Sequence, residues 1–246
     1  MTDNYISIDL ETTGLHPKRD KITEIGALKV VNGEVTDTFS TFVNPGRKLE
    51  ERIVELTGIH DEDLENAPYI EDVLPALFAF MEDMPLLGHS VLFDFTFLKK
   101  AAVDRKMPFE KKVIDTLKIA RKYLPELEHR SLEYLCEYYG IPHQAHRAFE
   151  DAQATHILYG KLCEQFYERE MQEKPGSGNL FVPVQISLRI KNDPPAPQSL
   201  KEQLYRMQKL HKIVLNVDIN RLSKSEASRL IDQIKSGKFS PANGGE

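Results

Sequence analysis

Three stretches near the N-terminus, residues 4–9, 22–31 and 34–43, are rich in Ile, Val, Thr and Phe, side chains that suit a pleated, half-buried strand. Val31-Asn32-Gly33-Glu34 joins the last two with a tight-hairpin signal, so the fold is expected to open on an antiparallel meander. From Ile70 to Met81 the apolar positions Val73, Leu74, Leu77, Phe80 and Met81 recur at helical spacing. Leu86 to His89 predicts a short strand, followed by a helix carrying Phe93, Phe97 and Leu98 and by further helices near 115–123, 131–139 and 147–168. Three strands followed by alternating elements predict an α/β fold with a mixed sheet flanked by helices.

After Phe166 the periodicity dissolves into Glu173-Lys-Pro-Gly-Ser-Gly178, the composition of a flexible linker. Residues 1–172 are therefore expected to form one domain, 173–198 a linker and 199–238 a small helical module. Within the linker Val184, Ile186, Leu188 and Ile190 alternate like a strand, and Asp193 to Pro197 forms a proline-rich spacer. The module has helical patterns near 199–211 and 224–236. The second opens on a cap-like Ser223 or Ser225 and carries Ala227, Leu230, Ile231 and Ile234 at helical spacing.

Charge alters this picture unevenly. The whole chain of 246 residues has a formal net charge of −6. Residues 185–246 hold 11 Lys and Arg against 6 Asp and Glu, a net of +5, whereas residues 1–184 hold 21 against 32, a net of −11. A basic module on an acidic domain is expected either to meet a polyanion or simply to solvate its surface. No apolar run approaches the ~20 residues that a membrane span needs, so no membrane contact and a cytoplasmic location are expected. Cys136 and Cys163 each sit in a helical pattern and read as core fillers.

Asp9 and Glu11 lie two apart at the end of the first strand, so both carboxylates point to the same face. Because 38 of the 246 residues are Asp or Glu, that pair alone decides little. Asp151 carries more weight: it shares a helix stripe with Ala148, Ala152, Thr155, Tyr159 and Leu162, and a buried carboxylate needs a cation, strong hydrogen bonds or a proton. With Asp94 as a fourth candidate, these acids suit hard divalent ions with oxygen ligands. His146 precedes Asp151 by five residues and should sit just before the helix, as a general base beside the acids; His143 is its nearest competitor.

These residues bring a family resemblance with them. Tyr5-Ile-Ser-Ile-Asp-Leu-Glu-Thr-Thr-Gly-Leu15, continuing through Asp20-Lys-Ile-Thr-Glu-Ile-Gly-Ala27, resembles the first exonuclease motif of the DEDD superfamily. Leu56-Thr-Gly-Ile59 resembles the turn after the family's third strand, Gly88-His-Ser-Val-Leu-Phe-Asp94 the second motif, and His146-Arg-Ala-Phe-Glu-Asp-Ala152 the third, whose histidine marks the h subclass. The match runs from residue 4 to about 165. The chain thus resembles the DEDDh (DnaQ-like) exonucleases, the family of the proofreading subunit of bacterial replicative DNA polymerase and of ribonuclease T.

The resemblance implies a ribonuclease-H-like fold with a five-stranded mixed sheet, and catalysis by Asp9, Glu11, Asp94, His146 and Asp151. It also implies two divalent ions, Mg²⁺ with Mn²⁺ as a substitute, held by Asp9, Glu11, Asp94 and Asp151. Thr12, Thr13, Gly14 and Leu15 would hold the 3′-terminal nucleotide, with Leu15 as a wedge, Phe93 stacking on the next base and His89 completing the set. The expected activity is 3′→5′ hydrolysis of single-stranded or mismatched DNA to nucleoside 5′-monophosphates, with a polymerase subunit as a candidate partner. An RNA-trimming exoribonuclease, or a non-catalytic nucleic-acid or polymerase-binding module, are the alternatives. The second motif commonly has Asn where this chain has Ser90, a departure expected to bear on substrate positioning.

Overall fold

Strand β1 (Tyr5–Thr12) divides the molecule into two faces. Side chains alternate along a strand, so Ile6, Ile8 and Leu10 enter one buried cluster while Tyr5 enters the other and Ser7, Asp9 and Glu11 share its side. The structure, a computed structural model, describes residues 2–176 and 178–237. Ser177 in the expected linker and Lys238 at the end of the expected module lie outside the described residues.

Strands β2 (Ile22–Val31) and β3 (Glu34–Phe42) continue the antiparallel meander from β1. Asn32 and Gly33 adopt φ of 53° and 81° at its hairpin, the left-handed pair that matches the twist of the flanking strands. On the other side of β1, β4 (Leu86–Gly88) and β5 (Lys112–Asp115) add in parallel. The described residues form a six-stranded mixed sheet in the order β3-β2-β1-β4-β5-β6. The strand beyond the expected five is β6 (Val184–Gln185), which the expected linker lays antiparallel along β5. The ladder between β1 and β2 slips once, between Glu11 and Thr12.

The helices cover both faces. On the side of Ile6, Ile8 and Leu10, α3 (Ile70–Met81) contributes Val73, Leu77 and Met81 and α4 (Leu92–Asp104) contributes Phe95, Leu98 and Ala102. On the other side, α5 (Thr116–Tyr123), α6 (Leu132–Tyr139) and the long α7 (Ala148–Glu173) pack over Tyr5, Leu28, Val30, Leu87 and Ile114. Cys136 and Cys163 lie in this cluster, both buried and free. Between β3 and α3 run two short helices, α1 (Glu51–Thr57) and α2 (Asp61–Glu65). Leu56 to Ile59, expected as a turn after a strand, instead ends α1, with Gly58 at φ 67° as its left-handed cap.

Residues 173–198 are more firmly attached than their composition suggests. Phe181 is fully buried beside Tyr159 and Tyr167, the backbone N–H of Leu180 donates to Glu170 (3.0 Å), and Ile186 and Leu188 pack on the α3–α4 side. Burial of alternating side chains does not require ladder hydrogen bonds, so the strand-like pattern extends past the two paired residues. Beyond it, α8 (Gln198–His211), a 3-10 turn (Ile219–Arg221) and α9 (Lys224–Lys235) enclose a cluster that includes Leu204, Met207, Ile219, Ala227 and Ile231. Ser223 caps α9 in a reciprocal box with Glu226.

This small helical unit sits against the β2–β3 end of the sheet domain. Glu226, 5% exposed, pairs with both Lys21 and Arg47 at 2.9 Å. Burial alone would raise its pKa, but these two cations hold the carboxyl down at about 2. The N–H of Asp218 donates to the carbonyl of Gly46 (2.7 Å), and the Arg221 guanidinium lies 3.6 Å above the Tyr69 ring. Among the described residues no helix is long and apolar enough to cross a membrane.

Of the described glycines, the one most closely approached lies where α7 crosses β2. A Cβ built on Gly26 would stand 2.2 Å from the backbone of Ala148 and Phe149, a distance that only backbone movement could relieve. Gly26→Ala is therefore expected to cost about 3 kcal/mol or more, a fall in Tm of roughly 6–12 °C, read by thermal denaturation. A variant that melts with the wild type would show that α7 is not seated on this glycine.

Candidate active site

The acids meet where β1 runs beneath the first turn of α7. Strand β1 continues to Thr12, past the end expected from its apolar run, so Asp9 and Glu11 both lie within the pleat and on the α7 side. Asp151 faces them from the fourth residue of α7, in a buried stripe with Ala148, Ala152, Thr155, Tyr159 and Leu162. One oxygen from each of Asp9, Glu11 and Asp151 lies within 4.8 Å of the others. Asp94, in the first turn of α4, accepts a hydrogen bond from the N–H of Leu10 (3.1 Å), between the two β1 acids. All four line one cleft of about 380 Å³.

Such crowding changes their protonation. Burial, then the charges of Asp94, Asp151 and Glu11, push Asp9 well above the usual carboxylate range. Burial raises Asp94 as well, reinforced by Glu11 and Asp115, against the pull of two backbone hydrogen bonds. Glu11 is pushed up to about 8 by burial and by Asp151 and Glu24, partly offset by Arg147. Protons or cations can relieve this repulsion. A donor set made only of carboxylate oxygens, converging from β1, α4 and α7, fits hard divalent ions.

Both histidines before α7 line the cleft. His143 Nε2 hydrogen-bonds Asp151 Oδ1, whereas His146 is exposed and touches Asp151 through its backbone N–H (3.0 Å to Oδ2). His146 sits at φ 66°, a left-handed turn that carries the chain into the helix. The structure thus puts the imidazole of His143 on the carboxylate and leaves that of His146 exposed at the cleft.

The second motif is held by the His89 ring and the Asp94 carboxylate and by the backbone N–H of Ser90. His89 Nε2 meets the carbonyl of Arg130 (2.8 Å) and so donates to it, and its Nδ1 meets the Thr116 hydroxyl (2.9 Å). Burial lowers its pKa, which suits a neutral ring that fixes one wall of the cleft. Ser90 has φ 69°, a conformation that Asn tolerates better than most side chains. The departure from Asn at this position therefore adds backbone strain at a residue that lines the cleft.

The remaining expected contacts divide between wall and scaffold. Leu15, 76% exposed, and half-buried Phe93 line the cleft, while Thr12 and Gly14 line an adjoining groove. The Thr12 hydroxyl donates to the carbonyl of Gly14 (2.7 Å) and the Thr13 hydroxyl accepts from the N–H of Lys21 (3.0 Å). Both hydroxyls thus shape the loop.

Two supporting carboxylates escape the sequence reading. Glu24, 2% exposed, accepts from the N–H of Ala148 (3.1 Å) and from Arg147 through both of its oxygens (3.0 and 3.3 Å). It offsets the unpaired N–H groups at the start of α7. A lone carboxylate in the otherwise apolar Ile22-Thr-Glu-Ile-Gly-Ala-Leu28 was the available signal. Asp115 caps α5 through Leu117 (3.1 Å) and holds the N–H of Ser90 (3.0 Å), and its signal was an Asp just before a helix.

The family model for exonucleases of RNase T type matches residues 6–159. Among similar proteins, a PolC-type DNA polymerase III from Caldanaerobacter subterraneus subsp. tengcongensis is 39% identical over 166 residues, 67% of this chain. The one from Bacillus subtilis is 37% identical over 189 residues, 73% of the chain. The chain spans only 12% and 13% of the lengths of those two polymerases. Among solved structures, exonuclease X in complex with 5′-overhanging duplex DNA is 26% identical with a TM-score of 0.54, over 65% of this chain and 91% of that one. Escherichia coli exonuclease I in complex with a labelled oligonucleotide shares the fold, with a TM-score of 0.60 at 19% identity over 70% of this chain and 42% of that one. Matched from β1 well into α7, across more than half its length, the chain belongs to the RNase T-type exonuclease family.

Proposed function

We propose that this protein is a metal-dependent 3′→5′ exonuclease that removes nucleoside 5′-monophosphates from single-stranded or mismatched DNA ends. The observation that carries the reading is the convergence of Asp9, Glu11 and Asp151 within 4.8 Å, with Asp94 hydrogen-bonded between the two strand acids. The PolC-type relatives and the DNA bound to exonuclease X favour DNA over RNA and a role beside a polymerase.

Asp9, Glu11, Asp94 and Asp151 would hold two divalent ions, Mg²⁺ or in its place Mn²⁺. When bound, these ions favour deprotonation of the attacking water and stabilise charge on the phosphate and the leaving oxygen. The protein's own share is to orient and to move a proton. Leu15 and Phe93 confine the terminal nucleotide, the Glu24 clamp keeps Asp151 facing β1, and His146 takes the proton of the attacking water. His143 holds the Asp151 carboxylate while it carries no cation.

Digestion of 5′-labelled single-stranded DNA, mismatched duplex and RNA side by side with Mg²⁺ tests polarity and substrate together. Asp151→Asn should lower kcat more than ~100-fold, because it removes a ligand charge with little change in volume; near-normal Mg²⁺-dependent turnover in that variant would falsify the assignment.

The histidines are separable by kinetics. His146→Ala should reduce kcat ~100-fold or more with a small change in KM. His143→Ala should instead change the Mg²⁺ concentration for half-maximal rate. The reverse pattern transfers the proton-accepting role to His143.

The raised carboxyl of Glu11 makes stability depend on pH with a definite sign. The folded, metal-free protein keeps a proton that the unfolded chain loses above the ordinary Glu value of 4.5, so stability present below 4.5 is lost as pH rises through about 8. Tm in EDTA should therefore fall between about pH 4.5 and about pH 8, and Mg²⁺ should flatten the fall by replacing the proton. A Tm that is independent of pH in EDTA would mean that the acids do not repel one another.

A further inference from the structure

Past Leu15 the cleft opens into a second groove. It shares Leu10, Glu11, Leu15 and Phe93 with the cleft and runs past Arg19 and Arg52 to Arg229 of α9. One residue of its lining, Arg229, thus comes from the C-terminal helical unit. Arg229 lies three residues after Glu226, about one turn on along the same side of the helix. The pairing of Glu226 with Lys21 and Arg47 therefore fixes where Arg229 stands.

Arg19, Arg52 and Arg229 are all exposed. Among the described residues, Arg19 and Arg229 have no carboxylate within ion-pair distance, and Arg52 pairs only with the exposed Glu50. Asp20, the acid beside Arg19, is turned inward onto the N–H of His16 (2.8 Å). Residues 1–184 carry a net charge of −11, a field that repels polyanions, so arginines gathered at the mouth of the acidic cleft call for an explanation. Guanidinium groups bind phosphate through paired hydrogen bonds.

We propose that this groove carries the phosphodiester backbone of the single strand leading to the 3′ end, with Arg19 of the sheet domain and Arg229 of the C-terminal unit as phosphate contacts. The proposal rests on the exonuclease reading of the cleft. It gives the C-terminal unit a task in substrate binding that depends on its docked position, with Leu15 and Phe93 marking the passage from backbone track to cleavage site.

The test uses the full chain and labelled oligothymidylates of about 20 and about 3 nucleotides, with Ca²⁺ replacing Mg²⁺, followed by fluorescence anisotropy across a salt series. Arg229→Glu and Arg19→Glu should each weaken binding of the long strand about tenfold, weaken the short strand far less, and reduce the log–log salt slope by ~0.7 per lost contact. Arg206→Glu, an exposed change on α8 away from the groove, should leave both strands unaffected. Wild-type affinity and slope for the long strand in Arg229→Glu, with its Tm unchanged, would overturn the proposal. So would loss of polyglutamate binding without loss of oligothymidylate binding, which would assign the groove to an acidic protein segment. Hydrolysis of the short strand by the unaltered protein in Mg²⁺ reports separately on the cleft. If it is absent while long-strand binding still depends on Arg229, the nuclease reading fails and the groove stands.

Discussion

The first turn of α7 lies closer to β2 than any side chain at position 26 would permit, and the site depends on this contact. A glycine opens the gap, and Glu24, two residues earlier on the same strand, then grips the helix end through Arg147 and the N–H of Ala148. The two act together: one removes steric resistance, the other supplies a negative charge at the positive end of the helix. Asp151 is carried on that turn, so the spacing between the helix acid and the strand acids is set by backbone packing. Side-chain reach contributes little to it.

That arrangement brings carboxylates together against their own repulsion, and the stabilising contacts elsewhere offset the cost. The α5–α7 cluster holds the body of the helix. Its far end is fastened where Glu170 meets Lys122, Tyr123 and the N–H of Leu180. Buried Glu226 has the opposite character to Glu11. Both are carboxylates under similar desolvation, yet two cations depress one and neighbouring acids raise the other. The first is a structural ion pair, and the second sits among acids whose repulsion a proton or a cation would relieve.

Much of this was legible in the sequence because it is periodic. Alternation in β1 put Asp9 and Glu11 on one face, and the helical stripe through Asp151 marked the other side of the cleft. Elements of four to seven residues, such as β5, α1 and α2, show too little of any period to stand out. Long-range partners were also hidden: nothing at Glu24 names Arg147, and nothing at Glu226 names Lys21 or Arg47. The net charge of the C-terminal segment could not separate cations spent internally, as Arg221 is on Tyr69 and Glu71, from those left facing solvent, such as Arg229. Likewise, Pro, Gly and Ser between 173 and 178 signalled a linker, but the apolar Phe181 just beyond them anchors the segment.

The register of β1 bears on how the protein can vary. Even positions carry aliphatic core and the odd ones Tyr5, Ser7 and the acids Asp9 and Glu11, so losing or gaining one residue between Tyr5 and Glu11 would exchange the two sets. Isoleucines would then meet Asp151 while carboxylates faced α3 and α4. Point substitutions along this strand can be graded in effect, but a single-codon insertion or deletion there forfeits core and chemistry at once. The slip in the ladder comes only after Glu11, where the last acid is already in place. Within this strand, a change of length spares both faces only past that point.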